Sequence, residues 1–98
     1  MLTRKKMIER TVRIERAEAD GYFYKYRLSV KYPHGDQSYR PLLYSITVEL
    51  IDEAGARTSA SLREAFSDHE QASFFFNKLV ENLATPINLP FVFEDYKS

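Results

Sequence analysis

Apolar and polar residues alternate along three stretches of the chain, a period that is typical of strands with one buried face. The first stretch runs from Ile8 to Ala17, the second from Tyr22 to Tyr32 and the third from Leu42 to Ile51. A weaker stretch, from about Arg57 to Leu62, carries small side chains that favour the edge of a sheet. We therefore predict four strands.

The second stretch divides most clearly into two faces. The face predicted to be buried carries Tyr22, Tyr24, Tyr26, Leu28, Val30 and Tyr32. The opposite face carries Phe23, Lys25, Arg27, Ser29 and Lys31. By the same alternation, the predicted buried faces of the first and third strands carry Ile8, Val12 and Ile14, and Tyr44, Ile46, Val48 and Leu50.

A three-residue loop, residues 19–21 with Gly21 at positive φ, is predicted between the first two strands. It places Ile14 opposite Tyr26 on the apolar face, whereas a two-residue Asp20-Gly21 loop would mix the two faces. The same register gives two favourable cross-strand charge pairs on the polar face, Glu15 with Lys25 and Glu9 with Lys31. Further along the chain, residues 33–41 read as a polar loop and residues 53–55 as a turn.

A helix is predicted to begin at a capping box that runs from Ser67 to Glu70, in which each of these two side chains satisfies a free backbone N–H. It should continue to about Ala84 and end at Thr85-Pro86, because the residue before a proline avoids α geometry. Its apolar side chains form one stripe at helical spacing: Ala72, Phe75, Phe76, Leu79, Val80 and Leu83.

The C-terminal stretch predicts a short second helix. Its apolar residues Leu89, Val92, Phe93 and Tyr96 stand at i, i+3, i+4 and i+7. Asn88 is suited to cap this helix, and Pro90 falls in a first turn, where its missing N–H costs nothing. A strand over the same residues, with alternating faces, remains an alternative for the segment 86–98.

These elements define an α+β fold: a four-stranded antiparallel meander sheet with one long helix packed on one face and a short C-terminal helix. We expect a single domain over residues 1–98, with residues 1–6 flexible. Hydrophobic residues make up 44% of the chain and include seven Phe and seven Tyr, which suits a compact core.

Charge and cysteine content narrow the classes of partner and location. Fourteen basic residues balance fourteen acidic ones, so net charge gives no global reason to expect nucleic acid or an anionic membrane as the partner. The chain has no cysteine, which excludes disulfides and thiolate metal sites. It also lacks the apolar stretches of a signal peptide or a membrane span, so we expect a cytoplasmic location.

Candidate catalytic and metal-binding groups do not form a recognisable constellation. His34 and Asp36 offer two metal ligands, whereas a site needs three or four. His69 lies in the first turn of the predicted helix, between Asp68 and Glu70. The capping box accounts for Glu70 and the helix dipole favours Asp68, so the three residues need not form an acid–base cluster. Glu94 and Asp95 are adjacent, so on a helix they point about 100° apart and do not converge on a substrate. We predict that the protein is not an enzyme and takes no cofactor.

The sequence also resembles a known family. The stretch "KLVENLATPINLPFVFEDY" is similar to the C-terminal part of a family of short uncharacterised Firmicutes proteins, domains of unknown function. Members of that family likewise end in a helix followed by a proline-containing connector and an acidic segment. The resemblance covers about Tyr44 to Tyr96 and implies this order of elements and a bacterial source, but no function.

The leading functional hypothesis is a non-enzymatic protein-interaction or regulatory module whose partner is another protein or a second copy in a homodimer. Phe74 stands out because it lies on the side of the predicted helix opposite the apolar stripe. Its ring could be exposed to solvent, covered by the C-terminal segment or covered by a second subunit, and the sequence leaves these three alternatives open. The alternative is binding of single-stranded nucleic acid through Phe23, Lys25, Arg27 and Lys31. Burial of the Tyr face and neutralisation by Glu9 and Glu15 argue against it. A small-ligand pocket lined by tyrosines is a third possibility.

Overall fold

The predicted α+β architecture is confirmed by a computed structural model, which describes residues 7–33 and 42–97. Four strands form one antiparallel sheet in the order β1-β2-β3-β4, and two helices follow them along the chain. The elements are β1 (Met7–Ala19), β2 (Tyr22–Pro33), β3 (Leu43–Ile51), β4 (Arg57–Phe66), α1 (His69–Glu81) and α2 (Leu89–Lys97). The expected flexible N-terminus and most of the polar loop 33–41 lie outside the described residues.

The core lies between one face of the sheet and α1, as the alternation in β2 predicted. Tyr26 and Leu28 are completely buried, Val30 is nearly so and Tyr24 is half-buried. They meet the buried stripe of α1: Ala72, Phe75, Phe76 and Leu79. The aromatic and aliphatic face of the sheet is therefore matched to the apolar face of the helix.

The turn between β1 and β2 differs from the predicted one. It contains two residues, Asp20 and Gly21, and both have positive φ, 54° and 82°. Ala19 consequently pairs with Tyr22, and Ile14 stands opposite Arg27 rather than Tyr26. Positive φ at both central positions is the signature of the tight hairpin turn whose twist matches that of the strands. This local preference prevailed over the apolar matching on which the three-residue prediction rested.

A bulge at Val12 partly reverses the consequence of the short turn. The register shifts by one residue between Thr11 and Arg13, so Glu9 faces Lys31 as predicted, while Glu15 faces Tyr26 instead of Lys25. The expected buried face of β1 is therefore wrong at two positions. The short turn places Ile14 opposite Arg27 and Val12 lies at the bulge, so they are 39% and 37% exposed, whereas the bulge returns Ile8 to its predicted place opposite Tyr32.

Arg13 takes the place under the helix that an apolar residue was expected to fill. Its guanidinium donates a 2.7 Å hydrogen bond to Asn77 Oδ1, forms a 3.0 Å ion pair with Glu15 and lies 4.9 Å from the centre of the Phe76 ring. The long stem and planar head of arginine can cover apolar surface while keeping polar partners. The edge of the core along β1 is thus polar.

Helix α1 begins one residue later and ends a few residues earlier than predicted. The N-cap is Asp68 rather than Ser67, and its carboxylate accepts a 3.2 Å hydrogen bond from the N–H of Gln71. The helix ends at Glu81, short of Ala84, because Leu83 adopts the left-handed conformation with φ of 49°. Leu83 therefore leaves the predicted stripe and is among the more exposed apolar residues.

The connection from α1 to α2 is fastened to the sheet by one buried hydrogen bond. The hydroxyl of Tyr26 donates to the carbonyl oxygen of Ala84 at 2.9 Å. Burial, assisted by the neighbouring Tyr24, raises the pKa of the Tyr26 hydroxyl to about 12. Tyr26 therefore stays protonated over the whole physiological range and holds the connection in place.

The C-terminal segment forms the predicted helix, and the strand alternative is wrong. Leu89 is completely buried, Val92 and Phe93 are half-buried, and the ring of Tyr96 lies 5.1 Å from that of Phe75. The side chain of Asn88 accepts a 2.8 Å hydrogen bond from the N–H of Thr85 instead of capping forward. Phe93 and Tyr96 thus pack on the end of the core formed by β4 and α1, against Phe66 and Phe75.

We expect substitutions in α2 to divide sharply by face. Leu89→Ala should lower the free energy of unfolding by about 2–5 kcal/mol, because it leaves a cavity at a fully buried site. Phe91→Ala, on the opposite face at 68% exposure, should change it by less than about 0.5 kcal/mol. Urea unfolding midpoints measure both, and equal effects would mean that α2 does not pack as described.

The raised pKa of Tyr26 predicts a specific loss of stability in alkali. Up to about pH 9 the folded and unfolded states both carry the hydroxyl proton. Above it the unfolded state loses the proton first, so Tyr26 should cost the folded protein about 1 kcal/mol by pH 11. Tyr26→Phe should remove this part of the pH dependence between pH 9 and 11, seen in urea midpoints, whereas Tyr22→Phe at an exposed site should retain it. Identical curves for wild type and Tyr26→Phe would contradict the assignment.

Candidate interaction surface

The sheet has a second face that none of the described helices covers. Both helices contact the core side of the sheet, α1 against β2, β3 and β4 and α2 against β4. The side chains that alternate with the core residues point the other way, and we call their surface the outer sheet face. Along β2 it consists of Phe23, Lys25, Arg27, Ser29 and Lys31.

The strand registers bring basic residues of two strands together on the outer sheet face. Arg16 of β1 stands directly opposite Lys25 of β2, and Arg27 follows two positions along the same strand. Directly opposed residues have Cβ atoms about 4.5–5.5 Å apart and diagonal neighbours about 7–8 Å, so the long side chains of the three cations are within reach of one another.

Apolar side chains flank this basic cluster. Phe23 is opposed by Ile51 of β3, and Ile14 of β1 is opposed by Arg27. Phe23 is 49% exposed, and Ile14 is also exposed. A partner on this surface would therefore meet positive charge and apolar area together.

Two acidic residues lie next to the cluster on the outer sheet face. Glu18, which stands opposite Phe23, lies on its border, and Glu49 is engaged elsewhere. Glu49, which stands opposite Lys25, is 3.5 Å from the guanidinium of Arg57. Lys31, further along β2, is paired with Glu64 at 3.4 Å. Within residues 7–33 and 42–97, Arg16, Lys25 and Arg27 form no salt bridge with a carboxylate. The centre of the outer sheet face is consequently positive although the chain as a whole is neutral.

Shallow depressions mark the same surface. One of about 240 Å³ lies beside Phe23 and is also lined by Arg16, Lys25 and Ile51. A smaller one of about 80 Å³ lies between Lys25, Arg27, Thr47 and Glu49. A third, of about 220 Å³, is polar and includes Lys31 and Arg63. These volumes suit single side chains of a partner better than an enclosed small molecule.

The structure separates Phe74 from the other candidate interaction residues. Phe23, Lys25, Arg27 and Lys31 share the outer sheet face, as expected from their spacing. Phe74 lies on α1, on the far side of the molecule, and is 47% exposed. Its ring is 5.0 Å from the ammonium group of Lys78 and 6.5 Å from the ring of Tyr96, so the C-terminal helix covers part of it.

Arg16 is the member of the cluster that the sequence prediction missed. The three-residue turn placed Glu15 opposite Lys25, and Glu15 was expected to neutralise the basic row. In the structure Glu15 lies on the core side, while Glu9 remains on the outer face and accepts a 3.3 Å hydrogen bond from Ser29 Oγ. The dipeptide Asp20-Gly21, a strong signal for a two-residue turn, would have located Arg16 correctly.

Other candidate groups have structural roles. The ring of His69 packs edge-on against Tyr44 at 5.7 Å. In the part of the chain that the structure describes, no three His, Asp or Glu side chains are grouped so that they could hold a metal ion, and His34 and Asp36 lie outside that part. On the tyrosine-bearing face, where a small-ligand pocket was a third possibility, the Tyr26 hydroxyl already donates a hydrogen bond to the carbonyl oxygen of Ala84. Neither described helix is long and apolar enough to cross a membrane.

Comparison with known proteins places the chain in a family. Residues 5–98 match the model of a family of unknown function (DUF6514), and the chain belongs to that family. The match extends well beyond the stretch from Tyr44 to Tyr96 that carries the resemblance described above. No curated protein and no solved structure matches the chain.

Proposed function

We propose that this protein is a non-enzymatic interaction module that binds an acidic segment of another protein through its outer sheet face. The observation that carries the proposal is the cluster of Arg16, Lys25 and Arg27, three neighbouring cations without a carboxylate partner among the described residues. Complementary charge of this kind steers a partner and fixes its orientation.

The apolar rim of the cluster supports a protein partner. Aromatic residues and arginine are enriched in protein interfaces, where aromatic anchors supply much of the binding energy. Phe23 and Ile51 flank the 240 Å³ depression and offer a place for one apolar side chain of the partner. A segment that combines Asp or Glu with a Leu or Phe would satisfy both parts of the surface.

Single-stranded nucleic acid is the second candidate, and the register of β1 favours it. Moving Glu15 to the core side and Arg16 to the outer face increases the positive charge beside Phe23. Sheets that bind RNA stack two or three bases on exposed aromatic rings, however. The outward-pointing residues of the four described strands include one aromatic ring, Phe23, so a protein partner is better supported.

The bacterial source and cytoplasmic location remain predictions from the sequence.

Site-specific photocrosslinking in bacterial cells would test the proposal, because it captures a partner whatever its identity. A photoreactive residue at Thr47, which lines the depression beside Arg27, should form an adduct with a protein. The same residue at Glu81, exposed on α1, should not. Lys25→Glu with Arg27→Glu should reduce the Thr47 adduct about tenfold or more, equivalent to a loss of about 1.4 kcal/mol in binding.

The identity of the adduct distinguishes the two candidates. A protein adduct that depends on Lys25 and Arg27 supports the proposal. An adduct with RNA or DNA that shows the same dependence would replace it with the nucleic-acid function. Adducts that are indifferent to both cations, or equally abundant from Thr47 and Glu81, would contradict an interaction through the outer sheet face.

A further inference from the structure

The free edge of β1 carries an ordered pattern of charge. β1 pairs with β2 on one side, and no described element pairs with its other side. An unpaired edge presents backbone N–H and C=O groups that can accept another strand. The sequence there, "IERTVRIER", contains the tripeptide Ile-Glu-Arg at residues 8–10 and again at 14–16. Of its charged residues, Arg10 and Arg16 have no salt-bridge partner within the described residues.

We propose that β1 pairs antiparallel with β1 of a second copy, with the two-fold axis between Val12 and Arg13. In this register Glu9 of one copy faces Arg16 of the other, and Arg10 faces Glu15. Two-fold symmetry repeats both pairs, so every charge from residue 9 to residue 16 other than Arg13 gains an opposite charge across the interface. Arg13 is already held by Asn77 and Glu15 of its own chain.

The bulge at Val12 makes this register compatible with the faces of the sheet. Residues that oppose one another across two strands must project from the same face. Glu9 and Arg16 both project from the outer sheet face, since they pair with Lys31 and Lys25. Without the bulge, residues 9 and 16 would have opposite parity and could not lie on one face.

The two residues of the second charge pair, Arg10 and Glu15, also project from one face, the core side of the sheet. Arg10 pairs with Val30 and Glu15 with Tyr26, so both project toward the helices. One insertion in the strand therefore aligns both charge pairs in a single register. The two-fold axis must then be perpendicular to the sheet, with the helices of both copies on the same side.

Neighbouring registers are disfavoured by the faces of the strand and by charge. Sliding one strand by a single residue would oppose residues that project from different faces, such as Glu9 and Glu15. Sliding it by two residues keeps the charged residues on matched faces but places Arg10 opposite Arg13 in one direction and Glu9 opposite Glu18 in the other. Like charges directly opposed destabilise a strand pair. Charged side chains on an edge ordinarily prevent pairing, but here they permit one register and oppose its neighbours.

Apolar side chains near the axis would also be covered. Val12 and Ile14 are the exposed large hydrophobic residues of β1, and in the proposed register Ile14 faces Thr11 of the partner copy. The four strands of each copy would join one continuous sheet, and the two outer sheet faces would lie side by side. This self-association goes beyond the binding of an acidic partner. It engages Arg16 with Glu9 of the second copy and leaves Lys25 and Arg27 for the acidic partner, so either proposal can fail without the other.

Charge-swapped variants test both the dimer and its register by sedimentation at about 0.1 M salt. We expect the wild type to dimerise, and Glu9→Arg with Glu15→Arg, or Arg10→Glu with Arg16→Glu, each to be monomeric because like charges face each other. Mixing the two variants should restore a dimer that contains one chain of each. As a matched control, Glu18→Arg with Glu81→Arg changes the net charge equally outside the charge pairs and should dimerise like the wild type.

Because a charge variant can lose stability, a second measurement uses the otherwise wild-type chain. The protein has no cysteine, so Thr11→Cys with Ile14→Cys should form an interchain disulfide on mild oxidation. Either single cysteine faces a non-cysteine residue and should remain largely monomeric. A wild type that stays monomeric at about 0.1 mM would overturn the proposal. Single cysteines that crosslink as readily as the double variant, or folded variants that do not prefer the mixed dimer, would overturn the register.

Discussion

The two-residue turn at Asp20 and Gly21 determines how the first strand is placed on the rest of the protein. Both residues have positive φ, which glycine adopts at little cost and aspartate tolerates. A Cβ at Gly21 would meet the flexible end of the Glu53 side chain, which can move aside, so the positive φ is what restricts this position. The hairpin register that starts here decides which side chains of β1 project toward the helices.

The placement of two arginines of β1 on opposite faces of the sheet follows from that register. Arg13 projects toward α1, where Asn77, Glu15 and the Phe76 ring satisfy it. Arg16 projects to the outer sheet face beside Lys25, where no carboxylate of the described chain meets it. A three-residue turn would reverse both placements. The proposed binding surface and the proposed dimer edge therefore have the same structural origin.

The spacing of apolar residues was enough to predict those strands and helices in which the burial of apolar side chains is the dominant requirement. In β2, β3 and α1 one face is mostly apolar and no other local preference opposes its burial. Burial of apolar surface therefore determines which face points toward the core. The C-terminal helix was predictable because Leu89, Val92, Phe93 and Tyr96 repeat at helical spacing. Of the candidate site, the four residues on β2 shared a face for the same reason.

Where two demands competed, the sequence alone did not reveal which would prevail. In β1, apolar matching of Val12 and Ile14 opposed the turn preference of Asp20-Gly21, and arginine's ability to cover apolar surface allowed the turn preference to prevail. At the start of α1, Ser67 and Asp68 are both good caps, and the choice of Asp68 depends on where the preceding strand ends at Phe66. These are differences of about 1 kcal/mol, smaller than pattern counting resolves.

The register of the β1–β2 hairpin is the feature on which both proposed surfaces depend, and nuclear Overhauser contacts between α-protons test it directly. Alternate opposed pairs in an antiparallel ladder bring their Cα atoms to about 4.5 Å, so the α-protons of such a pair give a strong contact. The structure predicts this contact between Arg16 and Lys25 and none between Glu15 and Lys25. A contact between Glu15 and Lys25 instead would establish the three-residue turn, return Glu15 to the outer sheet face and remove the basis of the proposed surface.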